Sequence, residues 1–328
     1  MSNETALHWA EEKEVVRSVA PIKLLVSLVA HVPKCVVNML IFPVGFFYLI
    51  FSKRARLECS RYQKQFIEYT NGEQFKRPKL LRQIISFSLC ILEKIEGWSR
   101  KIQFEDITFY DDVEQLIAHL DSGKGALLIG SHLGNTELLR SLAAFKKTGV
   151  ERDVPVTVIM ETGATQKFNS TIREICPDVN MNVVSAADIG LETIYLLQER
   201  LAEGGMVVIA GDRTSAHSSN RTLVNMFLGK EAAFPYGTFL LAYLLKTPVY
   251  FFFALRKKDV SLSSKYNMYV HKSPIEFETC SRGEKENCIK KLCSEFVHLL
   301  EKYCLLYPFQ WYNFFNFWAM PENQSGSV

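Results

Sequence analysis

The chain is 328 residues long, 48% hydrophobic and 22% charged, with 38 Lys and Arg against 35 Asp and Glu. That length buries the core of one large α/β domain or two modest ones. Its 17 Gly, 11 Pro and 8 Cys exclude a collagen-like repeat, a disordered chain and a disulfide scaffold. A mean hydropathy of +0.02 is high for a wholly water-soluble protein and low for one with many spans, so contact with a membrane is expected.

Met1 to Glu14 carries four acids and one lysine, which is not the basic opening of a secretory signal. From Leu24 to Ser52 the only charge is Lys34, and Cys35 to Phe51 gives 17 uncharged residues, the short limit of a membrane span. Pro33, Asn38, Pro43 and Gly45 would kink it, and Lys53, Arg54 and Arg56 follow as positive residues do on a cytoplasmic side. A single anchor, a re-entrant hairpin and a helix lying in the interface all fit, with a buried core helix as the alternative. Between Lys34 and Lys101 there are 13 basic and 5 acidic residues. Such a block suits an anionic leaflet, at about 1 kcal/mol per basic residue. No nucleic-acid recognition motif accompanies the charge, so no nucleic-acid partner is expected. Residues 1–100 are therefore predicted to be an apolar and basic helical region that associates with the membrane.

Beyond residue 100, short β runs alternate with helical stretches. Ile107 to Tyr110 reads as an edge strand, and Ala126 to Ile129, after the Gly123/Gly125 turn, as a buried one. A helix over Asn135 to Lys147, the strand Val156 to Met160 and a helix over Thr165 to Ile175, closed by Pro177, come next. Met181 to Val184, a helix over Ile189 to Ala202 and the strand Met206 to Ala210 continue the alternation. Val249 to Ala254 and Tyr266 to Val270 are late strands, and Glu284 to Leu306 is a long final helix. This order predicts an α/β fold: a mainly parallel sheet flanked by helices, spanning 101–321, with a loose tail at 322–328. The eight cysteines form no C-x-x-C pair and sit mostly among apolar neighbours, as free thiols of a reducing compartment do, so no metal is expected.

The informative segment is Ile129 to Leu138, IGSHLGNTEL. His132 lies just past the C-terminal end of a strand, where strand ends and helix N-termini converge on ligands. On one helix His132 and Glu137 would point apart. With His132 in the loop and Glu137 in the first helical turn, the carboxylate can accept one ring N–H and leave the other nitrogen as a base. Gly134 permits a tight turn, and Asn135 can cap the helix or donate to an oxyanion. Ser131 is one place early for G-x-S-x-G and stands where a P-loop needs Lys; H-E-x-x-H and G-x-G-x-x-G are absent.

The segment resembles the H-x4-D/E motif of the lysophospholipid acyltransferase superfamily and, in its Glu form, the lipid A lauroyl/myristoyl acyltransferase branch. Lys167-Phe168-Asn169 resembles that branch's Asn-containing motif, and Gly211-Asp212-Arg213 its Asp-containing strand-end turn. Phe227-Leu228-Gly229 with Phe234-Pro235-Tyr236-Gly237 resembles its F-F/L-G…P-x-G stretch. Pro308 to Trp318 occupies the place of its closing P-E-Q-Y-x-W-x-H motif. The basic end of that motif is here Asn313-Phe314-Phe315-Asn316-Phe317-Trp318, and Arg213 stands where many lipid A enzymes carry an uncharged amide, which marks a sister branch. The resemblance implies an acyltransferase on the cytoplasmic face of a bacterial inner membrane, without cofactor or metal. The donor is implied to be acyl carrier protein or acyl-CoA, and the acceptor a membrane lipid or glycolipid. It implies His132 and Glu137 as the catalytic pair, with Asn135, Lys167, Asn169, Asp212 and Arg213 binding oxyanion or substrate. A non-catalytic membrane-bound lipid-binding or assembly protein that kept the fold is the alternative from another class.

Overall fold

The computed structural model describes residues 27–29, 31–98, 101–139, 149–161, 182–214 and 221–320. In chain order the strands are β1 (Ile107–Asp111), β2 (Ala126–Gly130), β3 (Val156–Met160), β4 (Asn182–Ser185), β5 (Met206–Ala210), β6 (Thr222–Phe227), β7 (Lys230–Pro235), β8 (Val249–Arg256) and β9 (Tyr266–Lys272). The helices are α1 (Lys34–Phe51), α2 (Lys53–Tyr69), α3 (Leu80–Trp98), α4 (Val113–Asp121), α5 (Leu191–Ala202), α6 (Tyr236–Leu245) and α7 (Lys285–Leu306). The predicted helix over Thr165 to Ile175 and most of that over Asn135 to Lys147 lie outside the described residues.

Seven strands form one sheet in the order β1-β9-β8-β2-β5-β3-β4. β8, β2, β5, β3 and β4 run parallel, as expected; β9 returns antiparallel to β8 and carries β1 alongside it. The reversal follows from the short 257–265 link, since a parallel crossover needs a dozen or more residues. Every residue of β2 and β8 is buried, which explains why they read as continuous apolar runs rather than alternating ones. Alternate side chains enter opposite layers. Leu127, Ile129, Val207, Ile209, Phe251 and Phe253 join one core with α2, α6 and α7, while Leu128, Val208, Tyr250 and Phe252 join the other with α4.

β6 and β7 make a separate hairpin, closed by Leu228 and Gly229 at φ 48° and 77°. Two left-handed residues form the hairpin turn whose twist suits the flanking strands. Leu is an unusual occupant, so the sequence carried no turn signal there.

At the N-terminal side, Val37 and Ile41 of α1 pack on Ile85, Leu89 and Leu92 of α3. The opposite side of α1 is open, with Met39 61%, Phe47 58% and Phe51 80% exposed. Among the described residues no single helix is long and apolar enough to cross a membrane; α1 from Val36 and α2 pass that test only together, bent by 93°. Ser52 marks the bend. Its Oγ accepts from Ala55 N (3.3 Å) at the start of α2, and Arg56 Nη1 donates to Leu49 O (2.5 Å) and Ile50 O at the end of α1.

α2 and α3 are built into the main fold. Tyr62 and Phe66 enter the larger core, and a buried chain of hydrogen bonds runs from Lys79 N to Gln63 Oε1 (2.5 Å), from Gln63 Nε2 to Gln83 Oε1 (2.7 Å) and from Gln83 Nε2 to Trp311 O (2.8 Å). Glu93 of α3 meets Arg256 at the end of β8 in an ion pair that is 1% and 2% exposed.

Candidate active site

β2 and β5 are neighbours in register, with Gly130 opposite Ala210 at their C-terminal ends. His132 and Asp212 each lie two residues past that matched pair, so equal extension of the two chains brings them together. His132 Nδ1 is 2.8 Å from Asp212 Oδ1, and His132 N donates to Asp212 Oδ2 at 2.8 Å. Trp311 Nε1 donates to the same Oδ2 at 3.1 Å. Burial works to raise the Asp212 carboxyl, but His132, its hydrogen bonds and Arg213 outweigh it and hold the group below its ordinary range. An ionised carboxylate only accepts, so Nδ1 carries the hydrogen and Nε2 keeps its lone pair. About a third of the His132 side-chain surface, 34%, is open. Desolvation and then the Arg213 cation push its pKa down, against the pull of Asp212, so the imidazole is neutral at neutral pH.

It is Asp212, rather than the expected Glu137, that engages Nδ1 of His132. Glu137 is half-buried at the start of the helix that follows the loop, and its charge acts on Cys90 of α3. Five residues of chain carry Glu137 past the sheet edge, whereas Asp212 arrives at the same height on the adjacent strand.

The loop that carries His132 is held from two directions. Gly134 N donates to Gln310 O (2.9 Å), Tyr312 N donates to His132 O (3.1 Å), and Leu133 bridges antiparallel to Trp311. On the other flank Asn135 N donates to Ala254 O at the end of β8 (2.8 Å). Gly134 has φ +80°, and a Cβ there would lie 2.2 Å from Ala254 O, so no other residue fits the turn. Gln310 is fixed in its turn by Arg256, donating from Nε2 to Arg256 O and accepting at Oε1 from Arg256 N, both at 2.8 Å. The closing aromatic run is therefore packing that also shapes the site. Trp311 is wholly buried against Tyr62, Phe227 and Phe317, at ring separations of 5.0, 5.1 and 4.8 Å.

Arg213 donates from Nη2 to Tyr312 O (3.0 Å) and lies over the Phe315 ring at 5.7 Å, with burial lowering its guanidinium to about 10. Asn135 is 2% exposed, and neither atom of its side-chain amide meets a hydrogen-bond partner among the described residues. Lys167 and Asn169 lie outside the described residues. Sequence reasoning missed Trp311 and Gln310 as supports of the site. What finds the His–Asp pair is the register of β2 on β5, which sets Gly130 opposite Ala210 and both residues two places beyond.

Such an arrangement, a neutral and partly exposed imidazole with one nitrogen held by a carboxylate, equips a site to take a proton from a nucleophile. A comparison with curated proteins returned no match. The model of the bacterial lipid A biosynthesis acyltransferase family matches residues 78–318, from the turn before α3 to the end of the aromatic run, and the chain belongs to that family.

Proposed function

We propose that this acyltransferase sits on the membrane and moves a fatty acyl group from a thioester donor, acyl carrier protein or acyl-CoA, to a hydroxyl or amine of a lipid or glycolipid. The observation that carries this reading is the His132–Asp212 pair at the C-terminal edge of β2 and β5, with no partner for Nε2 among the described residues. Nε2 takes the proton of the acceptor as its oxygen or nitrogen attacks the thioester carbon. The new bond forms and the carbonyl oxygen becomes an oxyanion. Collapse breaks the C–S bond, and the thiolate leaves with the proton from His132. The unpaired amide of Asn135 is the oxyanion donor. Arg213, with Lys167 and Asn169, holds the anionic part of donor or acceptor. Glu137 is a second acid, at the start of the helix after the loop and outside the hydrogen bond that orients the ring.

The exposed apolar side of α1, bordered by Lys53, Arg54 and Arg56, is the surface that meets the membrane, on the cytoplasmic leaflet of a bacterial inner membrane. Incubating the full-length chain with membranes and acyl-labelled carrier protein or coenzyme A tests the activity. Label should appear in lipid; a lipid-binding or assembly protein would leave it on the carrier.

The pH profile of kcat/KM gives a second test. The transfer rate needs neutral His132, whose pKa is lowered, so activity holds at neutral pH and falls only below the ordinary histidine range. Arg213→Gln removes a cation that lowers that pKa, so the acid limb of the profile should move to higher pH, whatever happens to its plateau.

A further inference from the structure

Asn313 is 4% exposed, and neither its Nδ2 nor its Oδ1 has a hydrogen-bond partner among the described residues. Nearly all buried polar side chains in native proteins have one. Its place in the chain makes the exception informative. Tyr312, just before it, donates its N–H to His132 O, and its carbonyl accepts from Arg213 Nη2. Extended chain sends successive side chains to opposite sides. The Trp311 indole reaches Asp212, the Tyr312 hydroxyl reaches Ser86 of α3 at 2.8 Å, and the Phe315 ring lies under Arg213. By that alternation Asn313 shares a side with Trp311 and Phe315, the side on which Trp311 meets Asp212 and Phe315 meets Arg213. Asn135, the other unpartnered amide of this region, follows His132 in the loop that this same segment pairs with.

We infer that Asn313 is a substrate-contact residue that waits for a ligand group able both to give and to receive a hydrogen bond. Its amide offers two donors and one acceptor, all unused. A secondary amide satisfies both sides of it, and so does a hydroxyl. A thioester donor carries the first in its pantetheine arm, and a sugar-like or hydroxyacyl acceptor carries the second. Asn313 would thus read the identity of the substrate beside the reacting groups, while Asn135 faces the charge that develops. The inference rests on the acyl-transfer reading for the names of the substrates, whereas the lack of a partner for the amide among the described residues does not depend on it.

The test uses the full-length chain with Asn313→Leu, which keeps size and removes both hydrogen-bonding atoms, and Asn313→Ala, which cannot clash. Without ligand, at least one variant should melt at or above the wild-type temperature, because no native hydrogen bond is lost. A fall of about 4 °C or more in both would mean that the amide has a structural partner, and would overturn the inference. In the transfer assay the stable variant should lose about ten- to hundred-fold in kcat/KM. A raised KM for the thioester alone identifies the amide of the donor as the partner, and a raised KM for the acceptor alone identifies its hydroxyl. An unchanged kcat/KM overturns the proposal. Should wild-type protein transfer no acyl group, the acyl-transfer reading fails by itself. Thermal shift with S-dodecyl pantetheine and with an extracted membrane lipid then decides: a shift in wild type that shrinks in the variant supports Asn313, and equal shifts or none overturn it.

Discussion

Asp212→Asn should lower kcat for acyl transfer by about 10³- to 10⁴-fold while the protein remains folded, and Glu137→Gln should lower it far less. The amide can still occupy the space of the carboxylate, but it offers Nδ1 a donor or a neutral acceptor in place of an ion. The tautomer that leaves Nε2 free is then no longer enforced. In a serine protease the same exchange, at an aspartate behind a catalytic histidine, costs about 10⁴-fold. Asp212 also receives His132 N and Trp311 Nε1, so the substitution disturbs the loop as well as the ring. His132→Ala removes the base itself, and general-base assistance contributes about 10² to 10⁴. Single-turnover rates of the three variants, with circular dichroism to show intact folding, check the order. A Glu137→Gln loss equal to that of Asp212→Asn would return the orienting role to the nearer acid of the chain.

The largest expected loss of stability belongs to Glu93→Ala. Glu93 and Arg256 are both almost completely buried, and the guanidinium also donates to Ser261 O at 2.7 Å and to Lys258 O at 3.2 Å. Removing one partner of such a pair leaves an uncompensated charge in the interior, at a cost of about 3 to 5 kcal/mol. The double change Glu93→Leu with Arg256→Met should recover most of it, since neither charge of the pair is left without its partner. Urea unfolding of the three proteins measures both statements. Because Arg256 holds Gln310 through its backbone, the single variant should lose activity at temperatures where it is still folded, and the double variant should regain it.

Much of the sheet was legible because a strand covered on both faces must be apolar throughout. Runs such as Ala126 to Ile129 and Met206 to Ala210 have little else they can be between helical stretches. His132 was legible for a related reason: a polar residue directly beyond such a run stands at the edge where helices begin. Its partner was not, since 80 residues separate it from Asp212 and only the adjacency of β2 and β5 closes that distance. Spacing along the chain favoured Glu137; strand order favoured Asp212. Gln310 and Trp311 were hidden likewise, because a closing aromatic run suits core packing as well as an apolar tunnel or interface and names no partner. The short β6–β7 hairpin escaped because its turn uses Leu228, a residue that rarely takes positive φ.

Placing His132 and Asp212 at equal heights on adjoining strands has an evolutionary corollary. Their meeting depends on one backbone register and on the short clamped loop through Gly134, so the connections beyond that loop can lengthen, shorten or change composition without parting the imidazole from its acid. A scaffold organised this way can acquire new acceptors by rebuilding its periphery while the central chemistry stays in place.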